Sequence, residues 1–378
     1  MNRTQLDAGA DADRDSVALA RAFLAESATA VNGVLHRFWE AKIAAWSGFP
    51  PIVRQAFEAY DRLTSDGKKI RAGFVRLGFE ACAHPGSPSP PEPESIYRAA
   101  GSVEILHNAF LIHDDIVDQS DVRRNQPTAH RRFADAVRAR FASPEAALEY
   151  GRAVALNFGD EGQALAQELL LSSSFPGDVL LPAIALLGRV TAETVTGQLL
   201  DVDDVRIDEL TEELVLQIHE YKTAHYTIML PLQLGAILAR ADEAVVATIG
   251  RFALPLGIAF QVQDDILGLF GDERVLGKPV VSDLREGKKT LLFIHAYERA
   301  DQAQRARLRA VHGNASLAAG DLEEVRRIVK ETGALERSER EARRLVAEAK
   351  TQIAGITADP HWRRVLAGLG DYLILRRH

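Results

Sequence analysis

Cysteine is almost missing from this chain. Cys82 is the only one among 378 residues, so no disulfide can form within the chain and no cysteine-based zinc site is possible. That usage fits a reducing compartment, and a cytoplasmic location is expected. Positive charge is also short. The formal net charge is −8 and the isoelectric point is near 5.8, so no global positive field exists to attract nucleic acid. Nothing in the sequence approaches roughly 18 to 20 uninterrupted apolar residues, and no membrane span is expected. The first residues, MNRTQLDAGADADRDS, are polar and acidic, so no signal peptide is read there. Strand signals are few and no repeat of fixed period is found.

What is present is helix. The chain is 47% apolar and rich in Ala, Leu, Glu and Arg, with apolar residues at three- and four-residue spacing. Helices are predicted at 17–46, 52–63, 70–83, 95–119, 129–141, 145–172, 177–201, 208–219, 221–240, 243–268, 288–300, 321–332, 335–354 and 359–376. The stretch HPGSPSPPEPES, residues 84–95, holds five prolines and is a loop within the domain. A second long connection runs from Phe270 to Gly287. Residues 1–16 are expected to be disordered and 17–378 to form one large all-α domain. Segments 99–112 and 252–262 are apolar nearly all round, as helices surrounded by others must be.

Two of these apolar helices end in carboxylates. In LIHDDIVDQSDVRR, Asp114 and Asp118 lie one turn apart on one face, with Asp115 beside them. Carboxylates held together repel, and at a helix C-terminus they also oppose the dipole. A solvated acidic terminus is the plain reading. A divalent cation is the chemical one, because oxygen-rich carboxylate sites suit Mg²⁺ shared with substrate phosphates. In FQVQDDILGLFGD the arrangement recurs with Asp264 and Asp265, while Gly268 stands where Asp118 stands in the first cluster. If the two clusters face one cavity, they can grip one diphosphate through several metal ions.

Cations accompany them. Arg123 and Arg124 follow the first cluster. Lys68, Lys69 and Arg71 lie in DGKKIR, Lys222 in EYKTAHY, Lys278 in LGKPV, and Lys288 and Lys289 in REGKKT. Each alone reads as a solvated surface charge. Their placement beside acidic clusters, helix starts and glycine loops suits phosphate: arginine offers a planar fork, lysine a point charge. His107 lies close to two turns before Asp114; its plain reading is a core histidine with a satisfied hydrogen bond. The ligand that answers to all of this has a diphosphate head and a hydrocarbon tail.

At these motifs the chain resembles the trans-isoprenyl diphosphate synthases of the polyprenyl synthetase family, over about residues 20 to 375. HDDIVDQSDVRR resembles the family's first aspartate-rich motif and FQVQDDILG its second. DGKKIR resembles the GGKRxRP element, YKTAHYTIMLP the KT element, and DLREGKKT the lysine-bearing segment after the second motif. The resemblance implies an all-α isoprenoid-synthase fold with a central cavity, as a homodimer. It implies three Mg²⁺ ions per site, with Mn²⁺ able to substitute, held by Asp114, Asp118 and Asp264 and supported by Asp115 and Asp265. Arg123, Lys222 and Lys278 would contact the allylic diphosphate, with Thr223 and Gln261 lining the site. Lys68, Arg71, His107 and Arg124 would hold isopentenyl diphosphate. The implied reaction is ionisation, condensation and elimination. The departures are Gly268 for the last aspartate of DDxxD, Lys69 for arginine, Ala72 for proline, and Asn125 for the glycine after the arginine pair.

In the family, residues one turn before the first motif form the cavity floor. Ala109 and Phe110 occupy those positions and point about 100° apart. The small Ala109 leaves room, and Phe110 caps it in part. The expected product is C20 geranylgeranyl diphosphate, with C15 farnesyl diphosphate as the alternative and Leu106, Val154 and Phe158 able to overrule. A terpene cyclase or a non-catalytic regulatory subunit are the rival functions. The first lacks support because no second metal motif of cyclase type is found. The second lacks support because both aspartate motifs are largely present.

Overall fold

A computed structural model describes residues 3–65, 67–84, 92–203, 205–272, 280–314, 316–317 and 319–375, with side chains from Arg14 onward except at position 319. The described chain is nearly all helix: α1 (Arg3–Ala45), α2 (Pro51–Ser65), α3 (Ile70–Cys82), α4 (Ser95–Val117), α5 (Ala129–Val137), α6 (Pro144–Leu171), α7 (Gly177–Val202), α8 (Glu212–Ile218), a π-helical segment (His219–Met229), α9 (Leu230–Leu238) and α10 (Glu243–Phe270). Six further helices follow: Val281–Arg285, Leu291–Arg299, Gln302–Val311, Ala319–Glu331, Ala334–Lys350 and Pro360–Leu375. The all-α class expected from the spacing is therefore found.

The departures have local causes. α1 is helical from Arg3, over residues expected to be disordered. The helix Gln302–Val311 escapes periodicity because it buries only Leu308 and Val311; its start is fixed instead by an Asp301–Gln304 capping box. Val281–Arg285 is a short helix inside the stretch read as a loop. A two-residue hairpin, β1 (Val122–Arg123) with β2 (Gln126–Pro127), follows the first acidic cluster.

Where 17–378 is read from the sequence as one domain, contacts group the described chain into two compact units. One comprises residues 22–185 and 234–241, the other 1–21, 186–233 and 242–378. In the first, α4 is the central helix, packed by α3, α5 and α6. Ala99, Ala100, Val103, Ile105 and Ala109 are wholly buried on it. An aromatic stack supports it: Trp39 lies parallel to Tyr60 with ring centroids 4.9 Å apart, and the Tyr60 hydroxyl donates to the Phe158 carbonyl at 2.6 Å. A cavity of about 160 Å³ lies in this unit beside the hairpin, between Leu111, Phe133, Asn108, Asp115, Arg123 and Arg124.

In the second unit, α10 is central, packed by the π-helical segment and by Ala334–Lys350. By length and composition alone, α7 and α10 would pass as membrane-crossing helices. More than half of the α10 window is buried within the protein, as a core helix must be.

Candidate active site

The first cluster is built on the end of α4. Asp115 is buried, 4% exposed, and Arg123 Nε donates to its Oδ1 at 2.6 Å. Arg123 Nη2 also reaches Asp114 Oδ2 at 3.4 Å. Burial alone would lower the Arg123 guanidinium; Asp115 and then Asp114 outweigh it and hold its pKa above the ordinary arginine value. Asp118 closes the helix, its N–H donating to the Asp114 carbonyl at 2.8 Å.

The hairpin brings Arg123 back over the helix end. Its loop residues, Arg124 and Asn125, have φ of 52° and 60°. Two positive φ values in a two-residue loop are what a type I′ turn needs, and asparagine is well suited to one. The Asn125 departure therefore leaves the turn intact.

Arg124 lies against the DGKKIR element. A Cβ at Gly67, where φ is 91°, would meet its Nη1 at 3.2 Å. Lys69 is buried with φ 50° at the start of α3, and Glu104 Oε1 ties that start to α4 by accepting from the Ala72 N–H at 3.0 Å. Lys68 is exposed, and Arg71 half-buried. His107 sits within this group, 8% exposed. Its pKa is pushed well below the usual value by burial first, then by Arg71, Arg124, Arg123 and Lys69. It is a neutral imidazole in the neighbourhood of Arg71, Arg124, Arg123 and Lys69. The resemblance gives Lys68, Arg71, His107 and Arg124 to one diphosphate, and the structure groups His107 with two of them.

The second cluster is built on the end of α10. Asp265 is buried, 4% exposed. Gln261 Nε2 donates to its Oδ1 at 2.8 Å, and the Thr223 hydroxyl donates to Gln261 Oε1 at 2.8 Å. His219 Nε2 lies 3.1 Å from Asp265 Oδ2 and Lys288 Nζ 3.4 Å from Oδ1. Burial would raise the Asp265 carboxyl; Lys288 and His219 overcome it and hold it below the usual range. Thr223 and Gln261, expected to line the site, thus form a relay that holds Asp265. Asp264 is half-exposed beside it.

The π-helical segment supplies Lys222, whose Nζ donates to Asp201 Oδ2 at 2.5 Å. Close approach on both sides of this segment needs glycine. A Cβ at Gly197 would lie 2.2 Å from the Lys222 N, and one at Gly257 2.4 Å from the Ala224 Cβ. Lys289 is buried and donates to the carbonyls of Asp201 at 2.5 Å and Asp203 at 2.9 Å. Burial would lower the Lys288 ammonium, but Asp283, then Asp265, Asp264 and Asp201, hold it well above the usual lysine value.

Lys278 lies outside the described residues. Asp201, His219 and Asp283 were missed in the sequence. Asp201 carried a signal, since it is another carboxylate at the end of an apolar helix, against the dipole. His219 carried little: a lone histidine three residues before Lys222.

Among the described residues, no group of three or more histidine, cysteine, aspartate or glutamate side chains closes into a ready-made metal cage. The donors present are carboxylate oxygens beside fixed cations. Hard, oxygen-only donors of this kind fit Mg²⁺, which keeps waters and is carried in with phosphate.

Beneath the first cluster, Ala109 is wholly buried. A Cβ at Gly162 of α6 would lie 3.0 Å from the Ala109 Cβ and 1.9 Å from the Tyr60 hydroxyl. The small residue at 109 thus faces α6 and a filled space, with Tyr60 occupying it. Phe110 is half-buried.

Comparison with known proteins agrees with this geometry. Residues 53–329 match the polyprenyl synthetase family. A geranylgeranyl diphosphate synthase of Saccharolobus solfataricus is 35% identical over 239 residues, 63% of this chain and 67% of that one. The crystal structure of a geranylgeranyl pyrophosphate synthase from Corynebacterium glutamicum, complexed with isoprenyl diphosphate and magnesium, superposes with a TM-score of 0.87 at 30% identity, covering 94% of this chain and 99% of that one. A polyprenyl synthase from Caulobacter crescentus CB15, complexed with calcium and isoprenyl diphosphate, gives 0.77 at 25% identity, covering 95% and 98%. The match spans both aspartate clusters and the KT element between them, and the chain belongs to the polyprenyl synthetase family, as a trans-isoprenyl diphosphate synthase.

Proposed function

We propose that the protein condenses isopentenyl diphosphate with allylic diphosphates to make geranylgeranyl diphosphate. The observation that carries this is the neutral, buried His107 ringed by Arg71, Arg124, Arg123 and Lys69 directly behind the first aspartate cluster. Arginine forks and a lysine ammonium grouped in this way suit the oxygens of a diphosphate. The names of the relatives support the C20 product.

The chain's own residues do the following. Asp114, Asp118 and Asp264 offer oxygens to Mg²⁺, and Asp115 and Asp265 are held in place behind them. When bound, Mg²⁺ neutralises the allylic diphosphate and makes it a leaving group; we infer three ions, with Mn²⁺ able to replace them. Arg123, Lys222 and Lys278 receive the charge that develops on the departing oxygens. Lys68, Arg71, His107 and Arg124 hold isopentenyl diphosphate with its double bond at the allylic carbon. His107, being neutral, can donate one hydrogen bond there without changing charge. Apolar walls keep water from the cation, and the released diphosphate takes the proton.

A homodimer in the cytoplasm fits this reading. Leu156 and Leu171 on α6 stand 52% and 56% exposed, apolar side chains that a second copy would cover. The test is a product assay with Mg²⁺, isopentenyl diphosphate and each of the C5, C10 and C15 allylic diphosphates, resolved by mass. C20 from all three is expected. No condensation with any starter would overturn the proposal, and diphosphate release without isopentenyl diphosphate would mean a cyclase.

A further inference from the structure

The second aspartate motif is short of one carboxylate, because position 268 is glycine. Position 268 follows Asp264 by one helical turn, so its side chain would share that face of α10. The space is not empty. A Cβ built on Gly268 would lie 2.3 Å from Asp283 Oδ2, closer than real contacts allow. The carboxylate of Asp283 therefore sits where a side chain at 268 would begin.

Asp283 reaches this place from the short helix Val281–Arg285. Its side chain is 13% exposed, and its Oδ2 lies 3.8 Å from Lys288 Nζ. The same ammonium lies 3.4 Å from Asp265 Oδ1. One cation is thus shared between a motif carboxylate and the newcomer. The Lys288 N–H also donates to the Asp283 carbonyl at 3.1 Å, which fixes the two residues relative to each other.

We propose that Asp283 supplies the third carboxylate of the second aspartate motif, delivered from the following helix into the space that Gly268 leaves. The departure at 268 is then a relocation of the carboxylate, not its loss. A Cβ at 268 would push the Asp283 oxygen aside, and glycine leaves it in place. Asp283 acts as a positioning residue for the Mg²⁺–diphosphate that Asp264 binds. The inference rests on the metal–diphosphate reading of the site.

The test is a carboxylate swap, read by binding as well as turnover. Wild type, Asp283→Ala and the double variant Gly268→Asp/Asp283→Ala are titrated with Mg²⁺ in the presence of inorganic diphosphate. Thermal stabilisation is followed, and the Mg²⁺ dependence of condensation is measured in parallel. Asp283→Ala should need about 10- to 100-fold more Mg²⁺ for the same stabilisation, the range for loss of a group that supports metal ligands. The double variant, with its carboxylate returned to α10 and the clash removed, should recover most of that. An Asp283→Ala response equal to wild type would overturn the proposal. So would a weakened Asp283→Ala that the double variant fails to restore, because Asp283 would then only balance Lys288. A wild type that shows no response to Mg²⁺ with diphosphate would overturn the metal assignment itself, and this inference with it.

Discussion

The two aspartate clusters end two apolar helices in the same way, yet they are secured differently. The first is held from nearby. Asp114 and Asp115 are met by Arg123, eight or nine residues on, carried back by a tight hairpin. The second is held from afar. Asp265 is met by His219 and Lys288, and through Gln261 by Thr223. A cluster whose counter-charge is local can be read as one motif. A cluster assembled from several segments is more open to replacement, because each partner can change by itself.

The comparison can be broken most forcefully at the carboxylates. Asp114→Ala and Asp264→Ala should each lower kcat by a factor of about 10² to 10³ or more, the scale of losing electrostatic stabilisation of a leaving group. Near wild-type turnover in either variant would remove that cluster from catalysis. Next in size is Arg124→Ala. It should raise the KM for isopentenyl diphosphate more than that for the allylic substrate, by roughly tenfold, the scale of one lost charge-assisted contact. Steady-state kinetics with each substrate varied would show the reverse order if the arginine pair has been assigned the wrong way round.

The supports should matter less. His219→Leu removes one of several partners of Asp265, and a fall in kcat of about tenfold is expected, with Tm also lowered. An unchanged kcat with a lowered Tm would make His219 a packing residue only. Ala109→Phe should shorten the product. It should also destabilise the fold by about 1–3 kcal/mol, because the added ring meets α6 and Tyr60. Product mass and Tm are read together, and an unchanged chain length would hand the floor to Phe110 or Tyr60.

The smallest effect is on pH dependence. Burial first, and then Arg337, push the His295 pKa down to about 4. Between about pH 6.5 and 4 the unfolded chain would take up a proton that the folded chain refuses, so stability falls as the pH drops through that window. The Tm of His295→Gln should decline less steeply there. A slope equal to wild type would mean that His295 does not titrate in this way.

Much of this was legible in the sequence, for physical reasons that also mark the limit. α4 and α10 are long and buried nearly all round over their middle turns, so their apolar runs announced them. Asp114, Asp115, Asp264 and Asp265 stood out because carboxylates at apolar helix ends need an explanation. Gln302–Val311 did not stand out, since a helix that buries two residues has no stripe to see. Nor did Asp283, because its relation to Gly268 exists only once the helix Val281–Arg285 has packed against α10. Ala109 was legible as small but not as enclosed. Its neighbour Tyr60 lies some fifty residues earlier and leaves no trace in local spacing.

The π-helical segment carries one last consequence, for insertion and deletion. It runs from His219 to Met229, and Lys222 faces Asp201 while Thr223 faces Gln261 from within it. Loss of one residue there would not merely shorten the protein. The segment would tighten towards α-helix, and the residues beyond the cut would turn by about 100° relative to those before it. Both partnerships would be re-aimed at once, so this stretch should tolerate changes of side chain far better than changes of length.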